Sequence, residues 1–133
     1  MKEIKIYGRV IRGDAYGKKL GFPTANLERR SYARQKQKIK LGVYAGKAEV
    51  QGSRFEVQEY VAAIVVGPID KTGLPKIEAH LLGFKGSLYG KQLTLRLHKY
   101  LRPFKKFKTE KELKAQILQD IKIIKNSPIS NRL

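Results

Sequence analysis

Val43-Tyr44-Ala45-Gly46-Lys47-Ala48-Glu49-Val50, Gln51-Gly52-Ser53, Phe55-Glu56-Val57 and then Tyr60-Val61-Ala62-Ala63-Ile64-Val65-Val66 form the stretch on which the fold turns. Two segments rich in β-branched and aromatic residues flank the Gln51-Gly52-Ser53 turn, which is a hairpin signal. The run 60–66 is apolar without interruption, as in a strand buried on both faces, and Gly67-Pro68 is expected to stop it. Working outward, Ile4, Ile6, Val10 and Ile11 open an N-terminal strand. Lys71-Thr72-Gly73-Leu74-Pro75 reads as a turn, followed by strands over Lys76 to Leu82 and Gln92 to His98. In the last of these Leu93, Leu95 and Leu97 share one face. Short strands with no helix between them predict an antiparallel barrel or sandwich.

The period changes at the C-terminal end. Thr109-Glu110-Lys111-Glu112 is a capping box with Thr109 as N-cap, and Leu113, Ile117, Ile121 and Ile124 follow at helical spacing. A helix from about Glu110 to about Lys125 is predicted, lying against the strands, and Asn126-Ser127-Pro128 ends it. The organisation is one domain over 1–126 and a short tail over 127–133. Between Glu28 and Lys40 there is no clean period and there are few apolar groups, so a long loop is expected there.

Composition narrows the function classes. No cysteine is present, which excludes disulfides, thiolate metal sites and a cysteine nucleophile. Two histidines, His80 and His98, are too few for a multi-histidine metal centre. No apolar run is long enough to cross a bilayer and no apolar signal region precedes the first strand, so a cytoplasmic monomer without membrane contact is expected. The net charge is +18, with Arg29, Arg30, Arg34, Lys36, Lys38 and Lys40 in one cluster and Lys99, Arg102, Lys105, Lys106 and Lys108 in another. A solvated surface and a field that steers ATP or RNA both account for it.

The chemistry-bearing segment is Gly21-Phe22-Pro23-Thr24-Ala25-Asn26, preceded by Gly13-Asp14-Ala15-Tyr16-Gly17-Lys18-Lys19-Leu20. Glycines let backbone N–H groups approach an anion, lysines add charge, and the oxygens of Thr24 and Asn26 can serve a hard cation. By residue type alone, a turn in which both side chains bond local backbone is the favoured account of Thr24 and Asn26. Glu78 stands amid Ile77, Ala79, Leu81 and Leu82, where a carboxylate is costly without a partner or a task; a strand glutamate paired to a lysine is the other reading. Alternation puts His80 on the face of Glu78, as a structural neighbour.

Read in order, these segments resemble riboflavin kinase, which phosphorylates riboflavin with ATP to give FMN. The resemblance rests on Gly8-Arg9-Val10 with Gly13-Asp14, Gly21 to Asn26, Gly42-Val43-Tyr44-Ala45-Gly46, Ile77 to Leu82, Gly86-Ser87-Leu88-Tyr89-Gly90-Lys91 and Tyr100 to Phe107. It implies a mainly β fold: a six-stranded antiparallel Greek-key barrel with a C-terminal α-helix. It also implies Glu78 as catalytic base and ATP held by Gly13, Gly17, Lys18, Gly21, Phe22, Thr24 and Asn26. Mg²⁺ would sit on Thr24 and Asn26, and Arg102, Phe104 and Phe107 would lie on the flavin side. Partners would be riboflavin, FMN, ATP and ADP, and the 28–40 segment would be a flap over the ligands. The family usually has glutamate where this chain has Phe104, an aromatic ring able to stack on isoalloxazine. That departure, with the charge, keeps open an alternative: a kinase-like module with a degraded acceptor site that binds flavin, nucleotide or RNA without chemistry. The nucleotidyltransferase domain to which many such kinases are fused does not fit in 133 residues, so the chain is a stand-alone kinase domain or a fragment.

Overall fold

The computed structural model describes residues 3–12, 21, 24–35, 37–52 and 56–127. Alternating apolar residues generate six strands: β1 (Ile4–Ile11), β2 (Ala25–Leu27), β3 (Gly42–Gln51), β4 (Val57–Ile69), β5 (Pro75–Leu81) and β6 (Gln92–Arg102). A one-turn helix α1 (Arg30–Ala33) precedes β3, and α2 (Glu110–Lys125) ends the fold. Every neighbouring pair of strands is antiparallel, and the order β1-β2-β5-β4-β3-β6 closes into a barrel. Strands β3, β4 and β5 follow one another by hairpins, and β6 returns to lie beside β3, the Greek-key arrangement. Closure leaves no open sheet edge. Among the described residues, no helix is long and apolar enough to cross a membrane.

The barrel interior is filled by alternate side chains of every strand. Ile6, Leu27, Ile64, Val66, Ile77, Leu93 and Leu95 are essentially inaccessible to solvent. Small residues let the walls approach each other. A Cβ on Gly46 would lie 2.0 Å from the carbonyl oxygen of Arg96, so only glycine fits where β3 crosses a register shift against β6.

Three strands differ from the sequence-based expectation, and α1 forms where a long loop is expected. Strand β4 does not stop at Gly67-Pro68; its pairing with β5 slips after Val66 and resumes at Ile69 opposite Pro75. Proline is tolerated where such an irregularity releases its backbone from the ladder. Strand β6 runs beyond His98 to Arg102, with shifts against β3 that break its simple alternation. Strand β2 was not foreseen at all.

The 28–40 segment is anchored to the barrel at several points. Ser31 of α1 packs where Gly8 of β1 has no side chain: a Cβ on Gly8 would meet its Oγ at 1.8 Å. The Arg34 guanidinium donates to the Tyr7 carbonyl (2.8 Å) and to Glu28 (3.1 Å). Ile39 is buried in the main core, and the Tyr44 hydroxyl donates to the Lys40 carbonyl at 2.6 Å. Arg29 pairs with Asp70 of the β4–β5 turn at 2.7 Å.

Hydrogen bonds from the Thr72 hydroxyl, from Arg29 and from the Thr72 N–H hold Asp70 at a pKa of about 2, below its ordinary 3.8. A carboxylate whose pKa is lower in the folded state stabilises the fold above its unfolded pKa and ceases to do so as pH falls through its folded one. The contribution of Asp70 is therefore complete above about pH 4 and disappears towards pH 2. Thermal melts of wild type and Asp70→Asn should show a Tm difference that is constant at neutral pH and narrows between pH 4 and 2.

Candidate active site

Helix α2 begins as the sequence predicts: the Thr109 side chain accepts from the Glu112 N–H at 3.1 Å. Its apolar stripe meets the outer barrel wall only in part. Ile124 is fully buried against Ala45 and Val61, with Ala63, Leu82 and Leu101 around them. Asp120, one turn earlier, is buried and receives Arg102 from the end of β6. The guanidinium donates through Nε to both carboxylate oxygens (3.0 and 3.2 Å) and through Nη2 to Oδ2 (2.8 Å), and Gln116 adds a fourth bond at 3.0 Å. The C-terminal half of α2 is thus fastened while its N-terminal half stands off the barrel. The gap is a cavity of about 550 Å³, within the range of small-molecule sites.

This first cavity has apolar walls, with Leu113, Ile117 and Ile121 on one side and Ala63 and Val65 of β4 on the other. Phe104 and Phe107 line it from the β6–α2 connection, and Phe104 is 37% exposed. Lys76, Glu78 and His80 reach its wall from the outward face of β5, where inward Ile77 and Ala79 alternate with them.

A second cavity of about 790 Å³ lies next to it, lined by Val10 and Ile11 at the end of β1 with Arg12 just beyond, by Asn26, and by Phe84 to Tyr89. Thr24 lines both cavities. Strand β2 explains the junction. Asn26 is the register partner of Glu78, and directly opposed residues have Cβ atoms about 4.5–5.5 Å apart. Ala25 and Leu27 point into the core, so Thr24 and Asn26 share the outward face with Glu78. One carboxylate, one hydroxyl and one carboxamide therefore stand where the two cavities meet.

Of the residues singled out in the sequence, the structure brings Thr24, Asn26 and Glu78 together at this wall. It places Arg102, Phe104 and Phe107 around the first cavity. Arg102 is engaged by Asp120 and lies 5.9 Å over the Phe107 ring. Gly21 occupies a positive-φ position (91°) in a turn and lines neither cavity. Gly13, Gly17, Lys18 and Phe22 fall outside the described residues. The segment expected as a flap contributes no described residue to either lining. Its apolar and small residues, Ile39 and Ser31, dock it on the barrel instead. Sequence reasoning missed Lys76 and the Asp120–Arg102 pair. Lys76 could have been found from its place two residues before Glu78 on the same strand face.

The two cavities share Thr24, with Glu78 in the lining of the first and its register partner Asn26 in that of the second. The chain belongs to the riboflavin kinase family: the family model described as "Flavokinase: Riboflavin kinase" matches residues 1–127. It is 40% identical over 115 residues to the bifunctional riboflavin kinase/FMN adenylyltransferase of Escherichia coli K12, covering 86% of this chain and 35% of that protein. The chain thus spans about a third of the length of the curated relatives it matches. The crystal structure of riboflavin kinase from Trypanosoma brucei shares the fold, with a TM-score of 0.70 and 22% identity over 95% of this chain and 77% of that one. A Streptococcus pneumoniae structure described as a macrolide-efflux protein superposes with a TM-score of 0.79 and 26% identity, covering 92% of this chain and 38% of that one.

The Arg102–Asp120 pair is the fastening that sets the gap between α2 and the barrel. Breaking a buried pair leaves its partner uncompensated, and with Arg102 about a fifth exposed the lower end of the usual range applies. Asp120→Ala should cost about 3 kcal/mol in urea unfolding.

Proposed function

We propose that this chain transfers the γ-phosphoryl group of ATP to the 5′-hydroxyl of riboflavin, giving FMN and ADP. The observation that carries the reading is the shared wall: Thr24 lines both cavities, with Asn26 and Glu78 facing each other across β2 and β5. The apolar first cavity suits a flat tricyclic ring, which Leu113, Ile117, Phe104 and Phe107 would sandwich. The second suits the nucleotide, its polyphosphate running past the Gly86-Ser87 backbone towards Thr24.

Glu78 faces the first cavity and is the base. As the hydroxyl oxygen forms its bond to the γ-phosphorus and the bond to the β-bridging oxygen breaks, the hydroxyl proton passes to the Glu78 carboxylate. The barrel holds Glu78 and Asn26 on paired strands, so their separation is fixed before either ligand binds, and little reorganisation is required.

The family implies a divalent cation with the nucleotide, and we assign Mg²⁺. The donor set fits: a threonine hydroxyl and an asparagine carboxamide are hard oxygen ligands, both half-buried at the junction. Among the described residues no group of three or more His, Cys, Asp or Glu side chains could cage a metal. A cation held by one or two protein oxygens and completed by substrate phosphates and water is the usual arrangement for Mg²⁺. When bound there it would neutralise charge on the β- and γ-phosphates. The remaining task of the chain is to keep the acceptor oxygen in line. A monomer acting in the cytoplasm completes the reading.

An HPLC assay with riboflavin, ATP and Mg²⁺ should give FMN only when all three are present. Glu78→Gln should lower kcat by a factor of about 10²–10⁴, the usual contribution of a positioned base, with little change in riboflavin KM. Asn26→Ala should raise the Mg²⁺ requirement as well as slow turnover. Full turnover by Glu78→Gln would remove it from the base role, and riboflavin quenching without FMN would leave a binding module.

A further inference from the structure

The outward face of β1 is separate from the first cavity and meets the second at Ile11 and Arg12. Its burial alternates strictly, so Lys5, Tyr7, Arg9 and Ile11 all point to solvent while Ile6 and Val10 fill the core. Successive outward side chains on a strand stand about 7 Å apart. Tyr7 is 57% exposed even though the Arg34 guanidinium lies 5.3 Å from its ring centroid. Arg34 is held there by the Tyr7 carbonyl and by Glu28, which also accepts from the Arg9 N–H at 3.4 Å. At the far end, Tyr89 is 58% exposed with Arg12 at 5.0 Å from its ring. Its neighbours Gly90 and Lys91 are hydrogen-bonded to Val10, so this second aromatic continues the same row.

We propose that this face is a binding track for single-stranded nucleic acid that runs from Lys5 to the rim of the second cavity, whose lining it shares at Ile11, Arg12 and Tyr89. Non-specific single-strand binders combine a cationic groove that follows the backbone with exposed aromatic rings on which bases stack. Lys5, Arg9, Arg12 and Arg34 supply the cations, and Tyr7 and Tyr89 supply the rings. A duplex keeps its base faces stacked away from such rings, so unpaired strands are the better occupant. A membrane surface fits less well, because it requires a continuous apolar face to sink below the headgroups and here cations separate every apolar side chain. Within a chain of net charge +18, this row carries the two most exposed aromatic rings among the described residues.

The test is fluorescence anisotropy of the full chain with a labelled 12-nucleotide single strand, with Tm by circular dichroism as the fold control. Wild type should bind, and Tyr7→Ala should weaken binding by about fivefold or more at unchanged Tm. Tyr7→Phe, which keeps the ring, should retain the affinity. Arg9→Gln should flatten the slope of log K against log salt by about 0.7, the share of one phosphate contact on a single strand. Four results would overturn the proposal: no binding by wild type at about 50 mM salt, equal affinity of Tyr7→Ala, loss of affinity in Tyr7→Phe, or a duplex or anionic vesicles competing as well as the single strand. Saturating Mg²⁺–ATP, which would fill the second cavity beside Arg12 and Tyr89, should compete only in part; complete displacement would also overturn the proposal, since the strand would then occupy the nucleotide cavity alone. FMN formation is assayed separately, so failure of the kinase reading leaves this result standing.

Discussion

The barrel closes through β2, a strand of three residues whose Asn26 is the register partner of both Ile11 on β1 and Glu78 on β5. Without it β1 and β5 would face each other as open edges, and Ala25 and Leu27 would leave the core that they now help to fill. So short a strand has little stability of its own. It persists because its inward side chains are buried and its backbone is paired to a strand on each side. The same pairing sets Thr24 and Asn26 against Glu78, so the closure of the fold and the assembly of the candidate site are one event. A one-residue slip of β2 would turn Asn26 inward and Ala25 outward, destroying core and site together.

Helix α2 meets the opposite requirement. Its apolar stripe is long enough to lie fully against the barrel, yet only Ile124 is completely buried. The Arg102–Asp120 pair and the small cluster around Ala45 and Val61 fasten one half of the helix. Leu113, Ile117 and Ile121 are left lining a cavity. Each apolar side chain kept from full burial forgoes up to about 1.5–3 kcal/mol of hydrophobic stabilisation, part of which a flat apolar ligand would restore on binding. Unfilled apolar surface beside a fixed carboxylate is hard to explain as a requirement of stability.

Features set by local pattern were legible in the sequence. The Leu93, Leu95, Leu97 alternation gave β6, the run 60–66 gave the centre of β4, and the Thr109 capping box placed the start of α2. Features set by tertiary closure were not. Three residues cannot display a period, so β2 was invisible. Gly67-Pro68 reads as a stop because nothing local shows that the ladder resumes at Ile69 opposite Pro75. Asp120 sits between Ile117 and Ile121 on an apolar stripe, and its partner Arg102 lies 18 positions away across the barrel wall. The meeting of Thr24, Asn26 and Glu78, separated by more than fifty positions, came from the order of motifs in a resembling family; the register of β2 with β5 then supplied the physical cause.

The distribution of charge follows from the same economy of acids. The chain has 11 acidic residues against 29 lysines and arginines. Glu3, Glu28, Glu49, Glu59, Asp70 and Asp120 all lie in ion pairs, most of which join segments far apart in sequence. Glu3 and Glu49 both reach Arg96, tying the chain start and β3 to β6. Acids thus act as cross-links, and the surplus cations are left to the surface and to the cavity rims. At physiological ionic strength the field of exposed charges decays over about 8 Å, so a net charge of +18 does not act as a single attractor. Selection among anions must then come from what lies between the cations: apolar helix residues beside Lys105 and Lys108, glycine backbone at Gly86, or the half-exposed rings of Tyr7 and Tyr89.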